Sequence, residues 1–184
     1  MLCAAKPPRL TLLLFLAVAT LACEDDLVEP DQQSIPEEIL SLPPGIHPVI
    51  SLPGLDDVRA GTSFVLRVHL YAVDVADGVA SYQGEFRFDP DAMEVTGGHF
   101  PDGVLGAWHQ TGPGVVRFAG ATMEEIGDRP AVELIATAKR GLKSQDFAVT
   151  LEEVVGTEGF RGLMDQVAPG APILTDAILD LSGR

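Results

Sequence analysis

The feature that most constrains this chain is an alternation of large apolar side chains with other residues along short segments from residue 47 onward. Within residues 64–71 the apolar side chains at every second position fall on one side, and Arg67, His69 and Tyr71 fall on the other. Residues 82–88 repeat this pattern. A spacing of two places alternate side chains on opposite faces of a β-strand, whereas a helix needs apolar residues three and four positions apart. The alternation therefore predicts half-buried strands.

Further short strand candidates follow, each separated from the next by residues that break regular structure. The candidates are residues 115–120, 132–139, 147–154 and 173–181. The breakers are Asp89-Pro90, Gly97-Gly98 and the Gly- and Pro-containing stretches 111–114, 127–130 and 168–172. Many short strands at such intervals are typical of an antiparallel sandwich or barrel. The predicted fold class is therefore all-β.

Residues 1–22 have the layout of an export signal. Lys6 and Arg9 precede a short apolar run, which is about half as long as the roughly 20 residues that a membrane span needs. A small residue, Ala22, stands directly before Cys23, and this order resembles the lipobox of bacterial lipoproteins, although Thr20 departs from the commoner leucine. The resemblance implies cleavage before Cys23, lipid attachment to Cys23, and a place in the bacterial cell envelope, periplasmic or on the outer surface. An ordinary secretory signal is the alternative.

Cleavage before Cys23 would leave 162 residues, which is enough for one domain with a substantial core. Loss of Lys6 and Arg9 would leave 10 basic residues against 27 acidic ones, a net charge of −17. Such a surface repels nucleic acid and anionic lipid headgroups. The two cysteines are Cys3 and Cys23, so a mature chain with a lipid on Cys23 cannot form a disulfide within itself.

Residues 23–46 have the composition of an acidic, proline-containing linker that would be anchored by the lipid on Cys23. Residues 24–33 are rich in carboxylates and poor in large apolar side chains. Ser34 and Glu37 have the spacing of a capping box, which predicts one helical turn over residues 36–40. Residues 47–184 then form the predicted β-domain.

The sequence does not predict an active site. There is no Gly-x-Ser-x-Gly segment, and the loop bracketed by His99 and His109 is interpreted as solvent-facing rather than metal-binding. Glu152 and Glu153 are adjacent, so a regular strand would direct their carboxylates to opposite faces. We therefore expect no catalytic activity, no metal site and no other cofactor.

Several segments resemble cohesin domains, over roughly residues 47–155. Residues 58–68 are similar to that family's opening, in which a glycine turn leads into a long strand, and residues 78–95 are similar to its most recognisable stretch. There a strand ends in an aromatic-Asp-Pro turn, here Phe88-Asp89-Pro90, and large apolar residues follow. Proline suits this position because it cannot donate to a β-ladder, and the aspartate can accept bonds from the turn's amides.

The resemblance implies a jelly-roll sandwich, related in fold to carbohydrate-binding modules, that binds another protein through one sheet face. In cellulosomes that partner is a dockerin, and elsewhere the partners of cohesin-like domains are often unclear. Alternation along the strands directs four polar side chains outward, and these are the candidate binding face: Gln83, Glu85, Arg87 and Arg117. The expected protein is thus a lipid-anchored, non-catalytic module for protein binding.

Two alternatives remain open at this stage. The first is a polysaccharide-binding module, in which Trp108 and Tyr71 would contact sugar rings. The second is a structural envelope lipoprotein without a soluble ligand. The scarcity of tryptophan and tyrosine favours the protein partner over the sugar.

Overall fold

Strands account for most of the chain between residues 45 and 175. The structure, a computed structural model, describes Ile39 and residues 41–176. Cys23, the export signal, most of the predicted linker with its helical turn, and residues 177–184 lie outside the described residues. In the described part the strands are β1 (Gly45–Ser51), β2 (Ser63–Val73), β3 (Val79–Phe88), β4 (Met93–His99), β5 (Val104–Gly112), β6 (Val115–Thr122), β7 (Pro130–Ala138), β8 (Phe147–Gly156) and β9 (Ile173–Thr175).

The strands form two sheets that pack face to face. One has five strands in the order β4-β7-β2-β1-β9, and the other has four in the order β5-β6-β3-β8. Described neighbours pair antiparallel, apart from the parallel pair of β1 and β9. The predicted all-β jelly-roll sandwich is confirmed. No helix in the described part of the chain is long and apolar enough to cross a membrane.

The inner faces of the two sheets form one apolar core, and the alternation in the sequence determines which side chains enter it. From β2 the buried side chains include Leu66, Val68 and Leu70, and from β3 they include Phe86 and Phe88. The Phe86 ring lies 5.8 Å from the Phe88 ring and 6.1 Å from the Phe147 ring, measured between centroids. The predicted inward direction of alternate β2 and β3 residues is therefore confirmed.

Three strands, β1, β4 and β5, were absent from the predicted set. Gly97 and Gly98, a predicted break between strands, lie inside β4 at an irregularity in its pairing with β7. A Cβ atom on Gly98 would come within 3.0 Å of the Trp108 ring, so the glycine permits a close approach between the sheets. Pro48 likewise lies inside β1. Tertiary packing here overrides the local preference of glycine and proline for turns.

The Asp89-Pro90 turn after β3 is fixed by ionic hydrogen bonds. Asp89 accepts a bond from the Asp91 amide at 2.8 Å and one from Arg140 Nη2 at 2.7 Å. Arg140 also donates to both carboxylate oxygens of Asp146 at 2.9 Å, which ties this turn to the start of β8. The Asp91 amide, and then Arg140, hold the pKa of Asp89 below its usual range, and Arg140 does the same for Asp146.

Replacing Phe86 by alanine should lower the free energy of unfolding by about 3–5 kcal/mol, because the ring is fully buried between two aromatic neighbours. Arg87 is the matched control, since it is the next residue along β3 and its side chain is exposed. Arg87→Ala should change the free energy by less than about 0.5 kcal/mol. Urea denaturation of the full chain measures both values, and equal losses would contradict the assigned inward direction.

Candidate binding face

The outer face of the five-stranded sheet is partly covered by residues that precede β1. Ile39 is only 1% exposed and packs on Val49 of β1, together with Leu42, Tyr71 and Ile173. The segment before β1 is also tied down by His47, whose Nε2 donates to the Pro43 carbonyl at 2.8 Å. This face is therefore covered by its own chain at β1 and β9.

A buried histidine lies on the same face, beside β1. His69 is directly opposite Val49 and only 3% exposed. Its Nδ1 lies 3.2 Å from the Asp128 carbonyl, while its Nε2 is buried without a hydrogen-bond partner. Burial lowers the pKa of His69 from 6.5 to about 4, against the opposing effect of the bond to Asp128. The imidazole is therefore neutral at physiological pH.

The outer face of the four-stranded sheet, called the open face below, carries all four residues of the predicted binding face. Gln83, Glu85 and Arg87 point outward from β3, and Arg117 points outward from the neighbouring β6, opposite Glu85. Their predicted outward direction agrees with the structure, and it brings the four side chains together on one surface. Their role in binding remains a prediction.

Cross-strand pairing orders the open face into three adjacent rows. The pairings of β5, β6, β3 and β8 define an apolar row of Leu105, Ala121, Ser81 and Val155, a middle row of Ala107, Ala119, Gln83 and Glu153, and a charged row of His109, Arg117, Glu85 and Thr150. Polarity rises across these three rows, and in the next row Arg87 lies between Val115 and Ala148.

The charged row is a connected network rather than a set of free charges. Glu85 accepts a bond from Arg87 Nη2 at 2.7 Å and lies 3.7 Å from Arg117 Nε. Arg117 also donates to Glu152, which accepts a second bond from Gln83 Nε2 at 2.7 Å. The Arg117 guanidinium, with a smaller contribution from Gln83, holds the pKa of Glu152 below its usual range. Glu152 is therefore ionised, which suits a structural anion and not a catalytic acid.

The expectation that Glu152 and Glu153 point to opposite faces was wrong. The pairing of β3 with β8 shifts by one residue between Gln83 and Gly84, so two β8 residues stand where one is expected. Leu151 and Val154 are buried in the core, and both glutamates between them are exposed on the open face. A β-bulge has this effect, because its extra residue interrupts the alternation. The sequence signal was two polar residues between two core residues, where a regular strand has one.

The apolar row contains Leu105, an exposed side chain that the sequence analysis did not single out. It is 82% exposed on the open face, where it pairs across the strands with Ala121. Two further exposed apolar residues, Met123 and Phe160, follow β6 and β8 at the same end of the sheet. Between Leu105 and Glu153 the small side chains leave an open depression of about 410 Å³.

The two predicted sugar contacts do not form a common platform. Trp108 points inward from β5, packs on the core and donates from Nε1 to the Gly98 carbonyl at 2.9 Å. Tyr71 lies on the partly covered face of the other sheet, beside Ile39.

His99 pairs with Glu133 at 2.6 Å, on a different sheet from His109. Residues 41–176 contain no group of three metal-ligating side chains.

Comparison with solved structures shows which known proteins share this two-sheet arrangement. A cohesin module from a Clostridium perfringens family 33 glycoside hydrolase superimposes with a TM-score of 0.53 at 17% identity, over 72% of this chain and 98% of that one. The described domain is cohesin-like in fold.

Two further cohesins show similar agreement. The sixth cohesin of Acetivibrio cellulolyticus scaffoldin B, solved in complex with a dockerin, gives a TM-score of 0.51 at 16% identity, over 71% of this chain and 99% of that one. A cohesin of a Clostridium thermocellum cohesin–dockerin complex gives 0.51 at 13% identity, with the same coverage. No protein-family model matches the sequence, and no curated protein matches it. At these identities the likeness concerns the fold.

The buried His69 predicts a loss of stability in mild acid. Between pH 6.5 and about pH 4, His69 is protonated in the unfolded chain but neutral in the native protein. The free energy of unfolding should therefore fall by up to about 1.4 kcal/mol per pH unit in this window. The carboxylates of Asp89 and Asp146, whose pKa values are lowered, lose their contributions only below about pH 4.

Denaturation of the His69→Gln variant at a series of pH values tests this assignment. The variant should lose most of the slope between pH 6.5 and 4, because glutamine cannot take up the proton. His109→Gln is the matched control, since His109 is an exposed histidine on the open face. An unchanged slope in His69→Gln would show that another group governs the acid response.

Proposed function

We propose that this chain is a non-catalytic protein-binding module whose partner docks on the open face. The observation that carries this proposal is the contrast between the two outer faces. One is partly covered, at β1 and β9, by Ile39 and Leu42 from the same chain, and the other exposes an ordered surface of three rows. A surface with an apolar end and a preformed charged end offers both the burial and the specificity that protein interfaces use.

The cohesin-like fold supports a protein as the partner. Two of the similar cohesins were solved in complexes with dockerins. We therefore propose a dockerin-like protein, or another small domain that presents a comparable surface, as the occupant of the open face. Nothing in the placement of Trp108 and Tyr71 favours the polysaccharide alternative, because the two rings lie on different sheets.

We further propose that the module is displayed in the bacterial cell envelope through a lipid on Cys23. The support is the order of residues 1–23, with its basic start, apolar core and small residue before the cysteine. The acidic residues that follow would form a tether between the lipid and the domain.

A triple substitution, Gln83→Ala, Glu85→Ala and Arg117→Ala, tests the binding face. Capture of the partner from native envelope extract by the full chain should fall at least tenfold, since central interface residues can each contribute about 2 kcal/mol. The melting temperature should fall by much less than binding does, because the three side chains are half-buried and their ion pairs, which reach the surface, are each worth no more than about 1 kcal/mol.

The matched control is Glu94→Ala with Thr96→Ala, at exposed positions on β4 of the other sheet. These changes should leave capture intact. Strong capture that survives the triple substitution would remove the open face as the docking surface. Retention of the unmodified chain on cellulose, chitin or xylan would favour the polysaccharide alternative instead.

The lipid anchor has its own test. Cys23→Ser should abolish incorporation of labelled fatty acid and release the protein from the membrane fraction, because serine lacks the thiol that accepts the lipid. Cys3→Ser is the control, since that cysteine lies inside the predicted signal. Unchanged labelling and fractionation of the Cys23 variant would contradict the anchor.

A further inference from the structure

The β-bulge in β8 gives the open face two carboxylates with different surroundings. Glu152 is engaged within the face by Arg117 and Gln83. Glu153 lies beside it, exposed, and its side chain makes no ion pair or hydrogen bond with the residues that the structure describes. The face therefore holds one anion neutralised internally and one available to a partner.

Glu153 stands at the edge of the 410 Å³ depression in the open face. The floor is built from small residues of β5 and β6, among them Ala107, Ala119 and Ala121, and Leu105 closes the side opposite Glu153. Glu153 is the only charged residue that lines this depression in the described part of the chain. Gln83 of β3 lies between this floor and Glu153, so a floor of small residues leads past one amide side chain to a single carboxylate.

We infer that this depression receives a lysine or arginine side chain of the protein partner, with Glu153 as its counter-ion. Such a side chain has an aliphatic stem and a charged head, so the stem can lie on the alanines while the head reaches Glu153. The inference rests on the proposed function, because it names the chemistry of the partner at the same face.

Other side chains fit the depression less well. An apolar side chain would remove water from Glu153 without replacing its hydrogen bonds, which is costly for a charged group. An aspartate or glutamate would meet Glu153 directly, and it would also approach a chain with a net charge of −15. The nearby Arg117 offers little compensation to an anion, because Glu85 and Glu152 already neutralise it.

Selection of peptides against the immobilised full chain tests the inference with a defined probe, a displayed library of random peptides. Ala107→Phe should fill the depression, because Ala107 is an exposed lining residue on β5. Peptides that no longer bind this variant are the ones that depend on the depression. These peptides should contain a lysine or arginine. Replacing that residue by norleucine, which keeps the stem and removes the charge, should weaken binding by about fivefold.

A double-mutant cycle then identifies the counter-ion. Glu153→Gln should weaken the selected peptide by the same factor, and norleucine should have no further effect in that variant. Glu94→Gln is the matched control, because it removes one exposed glutamate charge from the other sheet and should leave affinity unchanged.

The outcomes separate the inference from the proposed function. Binders that depend on the depression but need no cation, or a cycle in which the two changes act independently, would overturn the inference and leave the docking face intact. If all the selected peptides bind equally well to the Ala107→Phe variant and to the triple variant, both the inference and the proposed docking face would be overturned.

Discussion

The apolar layer between the two sheets is the interaction on which the rest of this structure depends. Neither cysteine lies among the described residues, so no disulfide joins the two sheets there. Phe86, Phe118 and Leu134 are fully buried in this layer, together with alternate residues of nearly every strand. Because each inward residue forces its neighbours outward, the packing of the core also determines the composition of both outer faces.

The sequence predicted the strands in which this rule is obeyed without interruption. Residues 64–71 and 82–88 alternate cleanly, and they form most of β2 and β3 with the expected sides inward. It did not predict β4, because two adjacent glycines resemble a turn when they are considered alone. Glycine is needed at position 98 because of a residue on another strand. Trp108 occupies the space that a side chain at position 98 would need. Contacts of this kind cannot be read from local composition.

The candidate site shows the same division between regular and irregular positions. Gln83, Glu85, Arg87 and Arg117 were assigned to one surface because β3 and β6 alternate regularly along these residues. Glu152 and Glu153 were assigned incorrectly because the rule of alternation fails at a bulge. The core side chains on either side, Leu151 and Val154, carried the information, since they are three positions apart, whereas inward residues of a regular strand are two or four positions apart.

The bulge also allows the charge of the open face to change independently of the fold. Deleting one glutamate between Leu151 and Val154 would restore a regular strand, with both core side chains still inward and one carboxylate remaining on the surface. Insertion or deletion of a single codon would therefore change the charge of the open face with little change in the packed interior. In chains that share this sandwich, a difference of one residue in length at this position would therefore mark a difference in surface charge rather than a difference in the core.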